Sequence, residues 1–317
     1  MVTAITLWLL GAGGLALYVG WAAMAMAGGA SPWPYVMGLP VLYLATLFAI
    51  TLFWFALAWF FRATRPPAVR IGFAATLRLF GDEMRAIGRS GPRMALCHWL
   101  MPDPPPALAG FPVLLLHGVL CNVGAMHALR ADLVARKFGP VYALSYGPPF
   151  ASIDEFADQV AAKIDAILHA TGAARVALVG HSMGGLVARA YLRRYGSHKL
   201  SSVVTLGTPH HGSVHARIFP GVSLAQLRPG NAWLAELNRT EGAPAGVRLV
   251  SLWSWHDSMV APQTSSRLAG AVNIELSGVG HNALLGDRRV FALVAAELAR
   301  VAQAPGAGAE IPVRGPP

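Results

Sequence analysis

The sequence predicts an α/β fold: a doubly wound, mostly parallel sheet of about six strands, preceded by two transmembrane helices. Three observations carry that expectation. Short apolar runs alternate with helical segments through the C-terminal part of the chain, the pattern of a parallel sheet with helices on both faces. Two long, uncharged apolar runs fill the N-terminus. Between one strand and the helix after it lies Gly180-His181-Ser182-Met183-Gly184-Gly185, a Gly-x-Ser-x-Gly turn in the strand–turn–helix setting that this motif requires.

The two apolar runs are Ala4 to Ala27 and Tyr35 to Phe61, and neither holds a charge. Each exceeds the roughly 20 residues needed to cross a bilayer. A signal peptide would need a basic start and a shorter apolar core, and residues 1–28 offer neither. The short uncharged linker Gly28 to Pro34 makes residues 1–62 a helical hairpin, with Trp33 and Tyr35 where aromatic anchors belong. Arg62, Arg65 and Arg70 follow the second run while the hairpin loop has no charge, so the positive-inside rule puts both hairpin ends and everything downstream in the cytoplasm. Composition agrees with a lipid setting: 55% of the 317 residues are hydrophobic and 13% charged. The net charge of +10 comes mostly from scattered arginines, with no basic block interleaved with aromatics. That excludes a nucleic-acid partner and fits contact with anionic lipid. Cys97 and Cys121 form no Cys-x-x-Cys pair and read as two buried thiols.

Residues 63–110 read as an amphipathic helix and a Pro-rich linker. Ile71 to Ile87 carries Leu77, Phe80 and Met84 on one face and Arg78, Asp82, Glu83 and Arg85 elsewhere, a pattern that suits the membrane surface and packing on a globular unit equally. Pro102 to Pro106 marks a boundary. The domain at residues 111–302 then alternates: strand Val113–Leu116, helix Met126–Phe138, strand Val141–Ser145, a capping box at Ser152–Glu155 opening a helix to about Ala170, and the strand from Val176. The helix from Met183 follows, then strands Ser202–Leu206, Leu249–Trp253 and Val272–Leu276, and a closing helix Asp287–Val301. Residues 213–246 interrupt the alternation with Phe219, Leu224, Leu227, Trp233, Leu234 and Leu237 among polar residues, which reads as a lid-like insertion or as a packed helical excursion. The Pro/Gly/Ala-rich tail 303–317 reads as disordered.

The chemistry centres on Ser182. A serine in a sharp strand-to-helix turn needs glycines at Gly180 and Gly184, because the chain passes too close for a Cβ. Its hydroxyl also needs a base, and that base an orienting acid. Asp257 follows the strand ending near Trp253, and His281 follows the strand ending near Leu276, so both fall on loops at the same sheet edge as Ser182, in the order serine, acid, histidine. Glu275 lies inside a strand, and Asp287, beyond the histidine, is the reserve acid. The oxyanion donors are the backbone amides of Met183 and, in the loop His117-Gly118-Val119-Leu120, of Val119. His181 reads as packing. Thr208-Pro209-His210-His211-Gly212 with His215 lacks a cysteine or carboxylate to complete a zinc site, and reads as a rigid loop lining the pocket.

With those residues in hand, residues 112 to about 301 resemble the α/β-hydrolase superfamily, and most closely its bacterial lipases and esterases. Leu116-His117-Gly118, the elbow, Gly207-Thr208-Pro209-His210-His211-Gly212, Asp257 with Val260 and Pro262, and Gly280-His281 carry the resemblance. It implies catalytic roles for Ser182, Asp257 and His281, oxyanion amides at Val119 and Met183, and no cofactor or metal. Some lipases of this branch hold a structural calcium, for which no ligands can be placed here. The hairpin is foreign to the secreted lipase pattern, so the expectation is a hydrolase of carboxylic, lipid-like esters anchored in a bacterial inner membrane. Its partners would be the ester substrate and the bilayer, with oligomeric state open. An acyltransferase with the same triad is the enzymatic alternative, since pocket shape and water exclusion choose the acceptor. An inactive membrane scaffold that kept the fold is the non-enzymatic one.

Overall fold

A computed structural model of the chain describes residues 2–105, 111–239 and 246–303. Helices α1 (Val2–Ala27) and α2 (Trp33–Phe60) are each long and apolar enough to cross a membrane. They form the expected hairpin, joined by Tyr18 Oη donating to the Tyr35 carbonyl (2.6 Å) and by Trp21 set edge-on to Tyr35. Helix α3 (Phe73–Ala95) is two turns longer than its amphipathic pattern predicts, and a short helix α4 (Cys97–Leu100) follows. Helix α3 packs along both helices of the hairpin. Phe80 meets Phe48 and Phe55 of α2, Tyr43 Oη donates to the Gly88 carbonyl (3.1 Å), and Trp8 Nε1 donates to the Ala95 carbonyl (3.1 Å).

The sheet has six parallel strands in the order β2-β1-β3-β4-β5-β6: β1 (Val113–Leu116), β2 (Val141–Leu144), β3 (Val176–His181), β4 (Leu200–Leu206), β5 (Arg248–Ser254) and β6 (Val272–Leu276). Alternation along the strands divides the core in two. Leu114, Leu116 and Leu178 face α6 (Ile153–Thr171) and α7 (Met183–Tyr195). Val113, Leu115 and Val179 face α5 (His127–Ala135) and α10 (Arg288–Ala302). Because both faces are covered, β1, β3 and β4 are buried throughout, whereas the edge strand β6 is half-exposed.

Several boundaries differ from the sequence expectation for local reasons. The helix expected over Met126–Phe138 is a 3-10 turn (Val123–Met126) followed by α5, which ends where Lys137 turns to φ 65°. That turn is shaped by α3: Asn122 Nδ2 donates to the Met94 carbonyl (2.8 Å), and a side chain at Gly124 would collide with the Arg93 backbone. The capping box at α6 is present with both of its bonds. Within 213–239 the chain forms a 3-10 turn, α8 (Val222–Gln226) and α9 (Ala232–Arg239), and buries Leu224, Leu227, Leu234 and Leu237 in the core. Residues 240–245, Pro106 and the tail beyond Gln303 lie outside the described residues. Beside the prolines of residues 102–105, Asp103 pairs with Lys163 of α6 (2.5 Å) and Met101 joins the core.

Topology positions the site. From β1 the chain moves outward to β2 and then returns to β3 on the other flank of β1, so the loops after β1 and β3 part at the sheet's carboxyl edge. Such a switch point leaves a crevice where ligands bind in open α/β sheets.

Candidate active site

Ser182 sits in that crevice with φ 56° and ψ −126°, a strained geometry for a residue bearing a Cβ. The turn is held from three sides. Ser182 N donates to the Leu206 carbonyl (2.8 Å), and the Ser182 carbonyl accepts from Gly185 N (3.1 Å) and Thr208 Oγ1 (2.8 Å). A Cβ at Gly180 would lie 2.6 Å from the Gly184 backbone, and one at Gly184 would lie 2.7 Å from the His117 carbonyl. Both glycines are therefore required by close approach.

The loop after β1 faces the elbow, with Gly118 so near that a Cβ there would fall 2.9 Å from Ser182 Cβ. Leu120 has φ 56°, a second strained non-glycine residue across from the first. Tyr146 Oη donates to the His117 carbonyl, and its ring stacks on the His117 imidazole at 4.1 Å. His117 Nδ1 donates to the Gly118 carbonyl (2.8 Å), and burial pushes its pKa down to about 4, so it is a neutral strut. Val119 and Met183 both border the small hollow beside this loop. Cys121 is half-buried rather than buried, and its thiol is pushed up to about 11 by burial.

Asp257 and His281 come together as the strand order requires. His281 Nδ1 donates to Asp257 Oδ2 (2.8 Å), and Asp257 Oδ1 accepts from the amides of Met259 (2.8 Å) and Val260 (2.7 Å). Burial alone would lower the pKa of His281. The charge and hydrogen bond of Asp257, with the charge of Glu83, outweigh it and hold the imidazole above its ordinary 6.5. With Nδ1–H committed to Asp257, Nε2 keeps its lone pair, and His281 and Ser182 line one cavity. Asp287, the reserve acid, is elsewhere engaged: it caps α10 through Arg289 N (2.7 Å) and pairs with the Arg289 guanidinium.

The neighbouring histidines have structural roles. His181 Nε2 donates to the backbone carbonyl of His281 (3.1 Å), and burial pushes its pKa down to about 3. It is packing, as the sequence predicts, but packing that fixes the base. His210 turns inward, donating Nε2–H to Thr205 Oγ1 (3.1 Å) and receiving Arg189 Nη1 at Nδ1 (3.4 Å), while His211 is exposed. Of this segment only Pro209 and His215 line the pocket.

The cavity encloses about 320 Å³. Leu224 and Leu227 of the insertion, Val119 and Met259 give it an apolar wall. Two contributors escaped the sequence reading. Trp54 of α2 forms part of the wall and tilts over His215, with ring centroids 5.6 Å apart. Glu83 of α3 is 1% exposed, and its carboxylate accepts from Ser258 Oγ (2.8 Å), Asn282 N (3.0 Å), Asn282 Nδ2 (2.9 Å) and Ala283 N (2.9 Å). It thereby ties the loop that carries Asp257 to the loop that carries His281. The available signal was the spacing Leu79, Glu83, Ala86, which places the carboxylate on the helix face that meets the core.

Comparison with known proteins follows the same geometry. A model of the α/β-hydrolase fold matches residues 112–270, half of the chain, a span that includes Ser182 and Asp257 and stops short of His281. Triacylglycerol lipases of Pseudarthrobacter phenanthrenivorans and Burkholderia plantarii are each 34% identical over 119 residues. That is 35% of this chain in each case, and 36% and 32% of the two relatives, so the chain spans about a third of the length of the proteins it matches. Among solved structures, the mature Bacillus licheniformis lipase superposes with a TM-score of 0.55 at 18% identity, covering 63% of this chain and 96% of that one. Aspergillus fumigatus lipase B gives 0.53 at 19%, covering 63% and 55%. Fold, elbow and family match agree, and the chain belongs to the α/β-hydrolase fold family.

Proposed function

We propose that the protein is a membrane-anchored serine hydrolase of carboxylic, lipid-like esters, working through Ser182, His281 and Asp257. The observation that carries this reading is the Asp257–His281 bond opening onto the same apolar-walled cavity as the strained Ser182. Ser182 Oγ attacks the ester carbonyl carbon as His281 Nε2 takes its proton, and Asp257 stabilises the imidazolium. The amides of Val119 and Met183 receive the developing oxyanion, a pair of donors whose individual loss costs about 10²–10³ in kcat in comparable sites. His281 returns the proton to the departing alcohol, leaving an acyl group on Ser182. Water, deprotonated by His281, then attacks the acyl carbon and releases the acid. The triacylglycerol lipase relatives support an ester substrate, and the apolar wall suits its acyl chain. Phe219, Leu224 and Leu227 of the insertion act as part of the roof of that pocket.

The anchor is the α1–α2 hairpin, crossing the bacterial inner membrane with the hydrolase unit on the cytoplasmic side. Supporting that side are Arg62, Arg65 and Arg70 after α2 and the uncharged loop between the helices. The deciding experiment is hydrolysis of p-nitrophenyl esters from acetate to palmitate by the detergent-purified full chain and by Ser182→Ala. The expected result is turnover by the parent and a fall of at least ~10³-fold in kcat for the variant. Equal rates in the two proteins, or acyl transfer to an added alcohol in preference to water, would overturn it.

A further inference from the structure

A second cavity, of about 1010 Å³, opens where α2 ends and has Asp257 in its lining. Arg62, Arg65 and Arg70 all line it. Arg62 lies over the Trp59 ring (3.4 Å to its centroid) and donates Nη1 to the Trp59 carbonyl (2.8 Å), while Arg65 donates Nε to the Trp255 carbonyl (2.9 Å). A guanidinium carries five N–H donors, so most of this set is uncommitted. None of the three forms an ion pair among the described residues. Burial lowers the pKa of Arg65, and the charge of the neighbouring Arg62 adds to that effect.

His256 supplies an independent observation. It lines the same cavity, is 2% exposed, and accepts Gly278 N at Nδ1 (3.1 Å), which puts its hydrogen on Nε2. That buried Nε2–H has no acceptor among the described residues. A buried donor without an acceptor is costly, and here it borders a cavity with three cations. The one carboxylate on the wall, Asp257, is already taken by His281 and by the Met259 and Val260 amides. Apart from Thr64 and Thr76 the rest of the lining is apolar, with Phe60, Leu79 and Phe80 among it. A space lined both by an anion's donors and by hydrocarbon fits an anionic amphiphile.

We propose that this cavity binds the phosphate headgroup of an anionic membrane lipid. The guanidinium groups of Arg62, Arg65 and Arg70 hold the phosphate oxygens, His256 Nε2–H donates to one of them, and the α2 and α3 side chains receive the start of the acyl chains. The site adjoins the catalytic acid's seat. Gln263 Nε2 donates to the Asp257 carbonyl (3.0 Å) and Gln263 Oε1 accepts from Ala63 N (3.1 Å), so the arginine-bearing segment is bonded to the loop that carries Asp257.

The test measures binding and is run in the Ser182→Ala background, so that the ester bonds of the probes are not cleaved. The full chain in a neutral detergent is titrated with dihexanoyl phosphatidylglycerol, dihexanoyl phosphatidylcholine or inorganic phosphate, and the thermal midpoint is followed. A ligand of the folded state alone raises that midpoint to an extent set by its concentration relative to Kd. The expected result is a saturable rise with phosphatidylglycerol and none with the other two. Arg65→Gln, and separately the exposed Arg70→Gln, should each need about tenfold more lipid for the same rise. Arg300→Gln, on the distant α10, should titrate like the parent. A rise of equal size with phosphatidylcholine, or unchanged titrations in both variants, would overturn the site. A full rise with inorganic phosphate alone would overturn the lipid assignment.

Discussion

Glu83 shows how much a single side chain can organise. Its four accepted bonds come from residues 175 to 200 positions away in sequence, and they immobilise the Asp257 and His281 loops together. Gly280 belongs to the same arrangement, since a Cβ there would run into the Glu83 carboxylate. The charge also reaches the imidazole and helps to raise its pKa. Protonated His281 cannot accept the Ser182 proton, so kcat/KM should rise with pH through a midpoint above 6.5. Glu83→Gln keeps the shape and removes the charge, and should move that acid limb to lower pH. A pH–rate profile of parent and variant checks it, and an unmoved limb would mean that Glu83 acts on loop geometry alone. The role was hidden in the sequence because a glutamate among Arg78, Asp82 and Arg85 looks like one more solvated position on an amphipathic helix. Ser182, Asp257 and His281 were legible for the opposite reason: each follows its own strand, and parallel strands deliver their next loops to one edge.

At the scale of elements, α2 is the segment whose sequence says least about its use. It is apolar on every side, so periodicity cannot mark the face that meets the hydrolase unit, and Trp54 looks like any other residue of a span. Strands and their helices were far more legible, because burial on both faces demands continuous apolar runs and the Ser152–Glu155 capping box marks a helix start. The structure gives Trp54 a measurable consequence. Replacing it with alanine removes an indole from the cavity wall and from its contact with His215. Trp54→Ala should shift the preferred p-nitrophenyl ester toward longer acyl chains, with a change in kcat/KM of about tenfold between short and long esters. An identical chain-length profile in parent and variant would show that the acyl group lies elsewhere in the cavity.

For the whole molecule, hairpin and hydrolase unit share one interior. Thr3 Oγ1 near the start of α1 donates to the Cys121 carbonyl in the loop after β1 (3.3 Å), Trp54 near the end of α2 walls the cavity, and α3 packs against both helices and the triad loops. The parallel six-stranded sheet could be anticipated from the alternation, whereas this docking could not. It depends on contacts between residues far apart, such as the pair of Asp103 with Lys163. With the hairpin in the bilayer, as proposed above, a wall borrowed from α2 would also change the dimension in which encounter occurs. Substrate embedded in the same sheet of lipid meets the cavity by diffusing in two dimensions, so its supply is measured per unit of surface. Initial rates in mixed micelles should therefore follow the mole fraction of ester in the surface. At a fixed mole fraction and a saturating excess of micelles, they should hold steady as the total amount of micelle changes. Rates that track bulk ester concentration instead would mean that substrate arrives through water, and the hairpin's place in the wall would then serve shape alone.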